Sequence, residues 1–431
     1  MLSHELRSRL FQSDLELLPQ MNEIYELELA FLESQHLSTD ELIRRGAYIA
    51  KVNGRFTHHY RICAGDALHL PAETSAKRRK FFEKNQFRTG YATHGLFPYR
   101  GKFHPQMVKG ILNAMGLRRG ETVLDPMMGS GTTAIEAALM GINAVGVDAS
   151  PFCRFMAAAK TSGFLAAVGP LEQAVTESDR LLAYFRGVAG QLAGQSLEAA
   201  NYRPSTWPDE LNSDWFTPDV WPVLLLAYFD AVGFSERSSR NTREQQFKGI
   251  VERYAFVVKK TRVAIEALAI ELGNVRLLEG DARDLPLDPH SVDGILFSPP
   301  YSFAVDYIEN DATHLAALGI NQNELRERMV GLRGRSARQK LDLYLADMRT
   351  VLSECARVLK PHRFCTIVIG TNNQQIAKVL SKPPEEVEGL DELIVKLAET
   401  FGFRLARRLP RKIVGMSNTM RNEDILMLKK E

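Results

Sequence analysis

Residues 122–148 read as strand, glycine-rich turn, helix, strand. Thr122 to Asp125 is a short apolar run ending on an acid. Met127-Met128-Gly129-Ser130-Gly131 is the turn, and Thr132 to Met140 is a helix closed by Gly141. Asn143 to Asp148 is a second strand that also ends on an acid. A strand–helix–strand crossover of this length implies two parallel neighbours in one sheet. The chain is therefore expected to be α/β, with a Rossmann-like, doubly wound, mostly parallel sheet. With 431 residues, 45% of them apolar, it can bury a large core.

The rest of the chain is placed around that unit. Residues 1–90 are expected to form a small α/β domain: a helix or helix pair over Leu15 to Leu37, then a strand-like alternation from Gly54 to Ile62. The basic stretch Lys77 to Lys84 suits either a solvated helix face or a phosphate-contacting edge. Residues 91–431 form the main domain, beginning with a turn-rich stretch before a helix from Met107 to Met115. Residues 165–272 break the alternation as a helical insertion, with helices over Leu171 to Phe185 and Gln246 to Leu272 and a polar loop from Ser235 to Arg243. Strands resume at Val275 to Asp281 and Val292 to Ser298. A long helix, Leu341 to Leu359, stops at Lys360-Pro361. The strand Phe364 to Ile369, the helix Val387 to Phe401 and a terminal hairpin built on Arg404 to Arg408 and Ile425 to Leu428 complete the sheet.

The glycine turn lets a ligand approach the backbone, because glycine has no Cβ. Gly129-Ser130-Gly131-Thr132-Thr133-Ala134 fits the relaxed dinucleotide pattern G-x-G-x-x-A, so on this stretch alone NAD and another nucleoside cofactor are equal candidates. Asp125 separates them. An acid inside the turn repels a pyrophosphate but suits the ammonium of S-adenosylmethionine. Asp148 is placed to accept from ribose hydroxyls, and Asp281 from an adenine amino group while the adjacent backbone at Ala282 reads the ring edge.

Ile295-Leu296-Phe297-Ser298-Pro299-Pro300-Tyr301 is the second informative stretch. The lone pair of an exocyclic amine is delocalised into its ring, so acceptors around the NH₂ hydrogens are needed to favour a pyramidal, nucleophilic nitrogen. Ser298 Oγ and the Pro299 carbonyl are two such acceptors. Pro299-Pro300 fixes φ at both positions, and Tyr301 can stack on a flat base.

Together, Asp125-Pro126-Met127-Met128-Gly129-Ser130-Gly131-Thr132-Thr133 and Ser298-Pro299-Pro300-Tyr301 resemble the amino-methyltransferases of DNA, whose motif is [DNS]-P-P-[YFW]. The resemblance covers roughly residues 95–170 and 275–430. It implies the class I methyltransferase fold, S-adenosylmethionine as cofactor, and a base flipped out of double-stranded DNA. It also implies a cofactor site drawn from His104, Pro105, Asp125, Pro126, Gly129, Gly131, Thr132, Asp148, Asp281 and Ala282, with catalysis at Ser298, Pro299, Pro300 and Tyr301. Lys102-Phe103-His104-Pro105-Gln106 is similar to the family's segment that packs on the methionine end of the cofactor. In that family a leading Ser leans toward N4 of cytosine and Asp or Asn toward N6 of adenine. A related Asp-Pro-Pro-Tyr motif occurs in tRNA guanine-N2 methyltransferases. Here Asp125-Pro126 stands where some members have Phe before the glycine turn. Membership would also imply a possible partner restriction endonuclease and a nucleoid-associated protein.

Charge and cysteines bound the remaining possibilities. A net charge of +2 does not mark the whole surface as a nucleic-acid binder, so any such surface is local. The run Arg326 to Lys340, with Arg333, Arg335, Arg338 and Lys340 beside Gly331 and Gly334, is the candidate: a flexible cationic strip for DNA phosphates. Cys63, Cys153, Cys355 and Cys365 form no CxxC pair, so no metal site or disulfide framework is expected. No Pro-Cys dipeptide is present, which disfavours methylation at carbon 5 of cytosine. The N-terminus lacks a signal-peptide core, and no apolar run approaches the roughly 18 residues of a membrane span, so a cytoplasmic protein is expected.

Overall fold

The computed structural model describes residues 9–19, 21, 23–64, 90–99, 101–192, 213–237, 243–300, 306–412 and 422–431. Tyr301, the Lys77 to Lys84 stretch and Trp207-Pro208 lie outside the described residues.

Two sheets are present among them. β1 (Leu15–Leu17), β2 (Ile49–Val52) and β3 (Arg55–Phe56) make a small antiparallel sheet. The larger sheet contains β4 (Thr122–Asp125), β5 (Asn143–Asp148), β6 (Val275–Glu279), β7 (Val292–Phe297), β8 (Leu359–Gly370), β9 (Phe403–Lys412) and β10 (Asn422–Lys430). Its order is β6-β5-β4-β7-β8-β10-β9. The first five are parallel, β10 is antiparallel to β8, and β9 is antiparallel to β10. β4 leads to β5 on one side and pairs with β7 on the other, so the winding reverses between β4 and β7. Ligands of doubly wound folds bind outside the strand ends at such a reversal. Both informative stretches leave the sheet there.

The N-terminal elements do not stand apart from this sheet. Tyr25, Leu29 and Tyr48 share one core with Met107, Val108 and Ile111 of the Pro105–Ala114 helix. Glu33, fully buried, accepts from Ala47 N (2.9 Å), Tyr48 N (3.2 Å) and Asn113 Nδ2 (2.7 Å) of that helix.

Several local expectations are corrected. Leu15 to Leu37 is not helical throughout: Leu15–Leu17 pairs with β2, and the helix Ile24–His36 starts only where Glu23 and Glu26 form a capping box. The alternation from Gly54 to Ile62 ends at Phe56, because Thr57 Oγ1 accepts from Tyr60 N (3.2 Å) and opens the helix His58–Ala64. The polar Ser235 to Arg243 segment is helical through Arg237, and the next helix begins at Arg243. The strand expected at Phe364 starts at Leu359, directly after the helix Ala337–Val358.

The insertion is a helical cap. Phe185, Trp215, Trp221, Phe229, Phe247 and Tyr254 pack with Phe97 and Phe152 of the main domain and with Ile308, Leu315 and Leu325, which follow the second motif. Phe97 N donates to Tyr254 Oη at 2.8 Å, holding this cap to the segment that precedes the sheet. None of the described helices is long and apolar enough to cross a membrane.

Candidate active site

β4 delivers Asp125 to the edge of the sheet, and the chain turns sharply after it. Gly129 and Gly131 sit at φ +49° and +78°, the left-handed region that side chains disfavour. A Cβ on Gly131 would meet Ala157 Cβ at 2.6 Å, so only glycine lets the turn lie against the Pro151–Ser162 helix.

Asp125 serves this turn. Its Oδ1 accepts from Met127 N (3.1 Å) and its Oδ2 from Thr133 Oγ1 (2.6 Å). The carboxyl is 3% exposed, and burial pushes its pKa up to about 7 against the pull of those two bonds. It lies beneath the turn rather than along the cleft, which differs from an acid presented to a ligand's ammonium. His104 caps the Pro105–Ala114 helix by accepting from Met107 N at 3.4 Å.

Above the turn is a cleft lined by Pro126, Gly129, Asp148, Asp281, Ala282, Ser298 and Pro300. The two stretches, separated by more than a hundred residues of chain, thus share one wall-to-wall space. His104, Pro105, Asp125, Gly131, Thr132 and Pro299 are not part of its lining. Asp148 accepts from Gly129 N through Oδ2 and from Ser150 N through Oδ1, both at 2.8 Å. Burial raises its pKa to about 6, opposed by these two bonds. Asp281 is clasped by Arg283, whose Nε and Nη2 reach it at 2.7 to 3.1 Å. Its burial works to raise the pKa, but the Arg283 bonds prevail and hold it below the usual carboxylate range.

The cleft has walls that were not foreseen. Tyr99, Gly101 and Tyr307 form one side, and Arg328, Met329 and Val330 another. Arg283 binds that last segment too, donating Nη2 to the Glu327 and Arg328 carbonyls at 3.2 Å.

The basic strip is mostly ion-paired rather than free. Arg326 pairs with Asp306 (2.8 Å), Arg328 with Glu279 (3.1 Å), Arg333 with Asp347, and Arg338 with Asp342 (3.1 Å). Arg326 and Arg328 are helical, in Gln322–Arg328, and Ser336 caps the next helix by accepting from Gln339 N. Arg335 and Lys340 have no carboxylate partner among the described residues, and Arg335 is exposed. The strip is therefore largely ion-paired, with few free cations among the described residues. No group of three His, Cys, Asp or Glu side chains among the described residues is arranged to hold a metal.

The residues of the cleft fit S-adenosylmethionine. Asp148 is a nearly buried carboxyl with no cation beside it among the described residues, placed to accept from ribose hydroxyls and suited to a ligand that carries positive charge. The glycine turn allows close approach, and Asp281 stands on the next strand end.

Comparison with known proteins agrees. The family model described as "RMKL-like, methyltransferase domain" matches residues 96–310. Type II methyltransferase M.BsoBI of Geobacillus stearothermophilus is 21% identical over 308 residues, 60% of this chain and 59% of that protein. Type II methyltransferase M.MjaII of Methanocaldococcus jannaschii is 49% identical over 59 residues, 14% of this chain and 11% of that one. A tRNA (guanine(10)-N2)-dimethyltransferase of Methanothermobacter thermautotrophicus is 33% identical over 72 residues, 17% and 21% of the two chains. In each case the chain spans less than two thirds of the relative's own length. With a seven-stranded Rossmann-like sheet, a glycine turn and an acid-lined cleft, the chain is similar to S-adenosylmethionine-dependent methyltransferases, through the RMKL-like methyltransferase domain over residues 96–310 and through these type II methyltransferases.

Proposed function

We propose that the protein methylates an exocyclic amino group of a flipped-out DNA base, with N4 of cytosine as the target. The observation that carries this reading is that Ser298 and Pro300 line the same cleft as Gly129, Asp148 and Asp281. S-adenosylmethionine supplies a methyl group made electrophilic by its sulfonium. In this reading the glycine turn, Asp148, Asp281 and Ala282 hold it, while Ser298 Oγ and the Pro299 carbonyl accept from the amine and make its lone pair available. Tyr301, outside the described residues, is the stacking ring. A leading Ser rather than Asp or Asn favours cytosine, and the type II methyltransferase relatives favour DNA as substrate.

A second reading is methylation of guanine N2 in tRNA, supported by the matching archaeal tRNA enzyme. Transfer of labelled methyl to DNA and to tRNA, followed by nucleoside analysis, separates the two. N4-methylcytosine is the expected product. N6-methyladenine would correct the base, and label confined to tRNA would overturn the DNA reading. Ser298→Ala is expected to lose turnover while still binding the cofactor.

A further inference from the structure

Methylating an amine releases a proton, and the acceptors just described cannot keep one. The amine nitrogen forms the new C–N bond, and the methyl–sulfur bond breaks with its electron pair left on sulfur. The nitrogen is then cationic and must lose one proton. A serine hydroxyl and an amide carbonyl accept hydrogen bonds but take up no additional proton near neutral pH. A carboxylate can.

Most carboxylates near the cleft are committed. Asp125 holds Met127 N and Thr133 Oγ1, and Asp148 holds Gly129 N and Ser150 N. Asp281 is clasped by Arg283. Asp306 accepts from Ile308 N and Glu309 N and pairs with Arg326. Asp311 differs. It is 9% exposed, and its carboxyl has no hydrogen bond or ion pair among the described residues. It lines a second cavity of about 210 Å³, large enough for a six-membered ring. That cavity shares Tyr99, Gly101 and Tyr307 with the cofactor cleft. The junction is built to be narrow: a Cβ on Gly101 would meet Tyr307 Cε1 at 2.8 Å and Tyr99 Cε1 at 3.2 Å.

We propose that Asp311 is the catalytic base, taking the proton shed by the methylated amino group of a base whose ring is received in this second cavity and whose amine is turned through the junction toward Ser298 in the cofactor cleft. The proposal rests on the amino-methylation reading above. Burial, and then the like charge of Asp148, push the Asp311 pKa up to about 7. A base poised there is half ionised at neutral pH and returns the proton to water readily. The titratable groups around it are Glu309 and His314 from its own segment, Tyr99 and Tyr307 at the junction, Cys153 on the Pro151–Ser162 helix and Asp148 at the end of β5, with Asn310 and Thr313 as uncharged polar neighbours. Among the described residues, the helical cap contributes Gly233 to the cavity wall.

Asp311→Asn tests this on the full chain, with thermal unfolding to establish that the variant is folded. Its kcat is expected to fall roughly 10²- to 10⁴-fold, and the acid limb of the wild-type pH profile near 7 to disappear, while cofactor affinity changes little. Asp311→Glu should recover part of the rate. Without cofactor or nucleic acid, the carboxylic C=O intensity titrating near pH 7 in infrared difference spectra should lose one carboxyl's share in Asp311→Asn, with the share of carboxyls such as Asp125 remaining. Wild-type turnover with an unchanged pH profile in Asp311→Asn, or the same carboxylic intensity titrating near pH 7 in variant and wild type, would overturn the proposal and leave the amino-methylation reading standing. A wild-type protein that methylates neither DNA nor tRNA would remove both.

Discussion

Gly129 donates its backbone N–H to Oδ2 of Asp148 at 2.8 Å, tying the turn after β4 to the end of β5. The other oxygen of Asp148 accepts from Ser150 N, so both acceptors hold backbone in place while the carboxyl still faces the cleft. Asp148→Asn replaces one acceptor by an NH₂ that must point at an N–H. Leaving such a donor unpaired costs about 1–3 kcal/mol, and the cofactor Kd should rise about ten- to a hundredfold. The pH dependence has a definite sign. Burial raises the Asp148 pKa to about 6, so a cationic ligand must displace a proton below that pH, and affinity for S-adenosylmethionine weakens as pH falls from 7 to 5. Calorimetric titration at both pH values measures it. The neutral product S-adenosylhomocysteine should show a smaller change; equal changes for the two ligands would sink the idea.

Arg283 links two walls of the cleft. It binds Asp281 on one side and the Glu327 and Arg328 carbonyls on the other, and its Nη1 reaches Asp347 at 2.9 Å. Arg283→Met should loosen both walls of the cofactor pocket, raising the KM for cofactor about tenfold or more with kcat within a few-fold. Arg283→Lys should rescue only partly, since an ammonium cannot make the same fork of bonds. Steady-state kinetics with varied cofactor decides, and a fall in kcat at unchanged KM would rule this role out.

How much of this was legible in the sequence depends on whether the deciding interaction is local. The unit from Thr122 to Asp148 carries its own glycine turn and helix signals, and it appears in the structure with boundaries shifted by a residue. The terminal hairpin is likewise there as β9 and β10. Asp125 shows the limit. An acid at a strand end looks the same whether it meets a ligand or caps its own turn, and here Met127 N and Thr133 Oγ1 take it. The basic strip misleads for a similar reason: Asp306, Glu279 and Asp347, which neutralise it, are distant in sequence. Tyr99 and Asp311 reach the site from segments with no motif of their own. Tyr99 lies in the turn-rich stretch before the Pro105–Ala114 helix, and Asp311 follows the second stretch by ten residues.

The pairing pattern changes which arginines should matter for nucleic acid. Arg335 is exposed and has no carboxylate partner among the described residues, whereas Arg333 is half-buried against Asp347. Arg335→Ala should weaken DNA binding and reduce the slope of log K against log salt by about 0.9, the release of one counterion equivalent. Arg333→Ala should leave that slope nearly unchanged. Fluorescence anisotropy across a salt series reads both. Equal losses of slope in the two variants would show that Arg333 leaves Asp347 for phosphate.

Glu136 anchors a fully buried charge cluster. It and the His94 side chain are fully buried, with His94 Nε2 at 2.6 Å and Lys109 Nζ at 3.3 Å from its two oxygens. Burial alone would raise the Glu136 pKa, but Lys109 and the His94 bond outweigh it and hold the carboxyl at about 2. Burial lowers the His94 pKa to about 4 against the pull of Glu136, so the imidazole is neutral at pH 7 and donates its Nε2 proton. Both folded-state values lie below the unfolded ones. The unfolded chain therefore binds more protons in acid, and stability present above about pH 6.5 declines as pH falls toward 2. Glu136→Gln keeps the shape but leaves the Lys109 ammonium, 1% exposed, without a carboxylate partner among the described residues. The expected cost at pH 7 is about 3–5 kcal/mol, with a flatter acid limb because one of the two linked groups is gone. Urea unfolding from pH 4 to 8 measures both, and a variant as stable as the wild type at pH 7 would show that Lys109 gives up its charge or finds another partner.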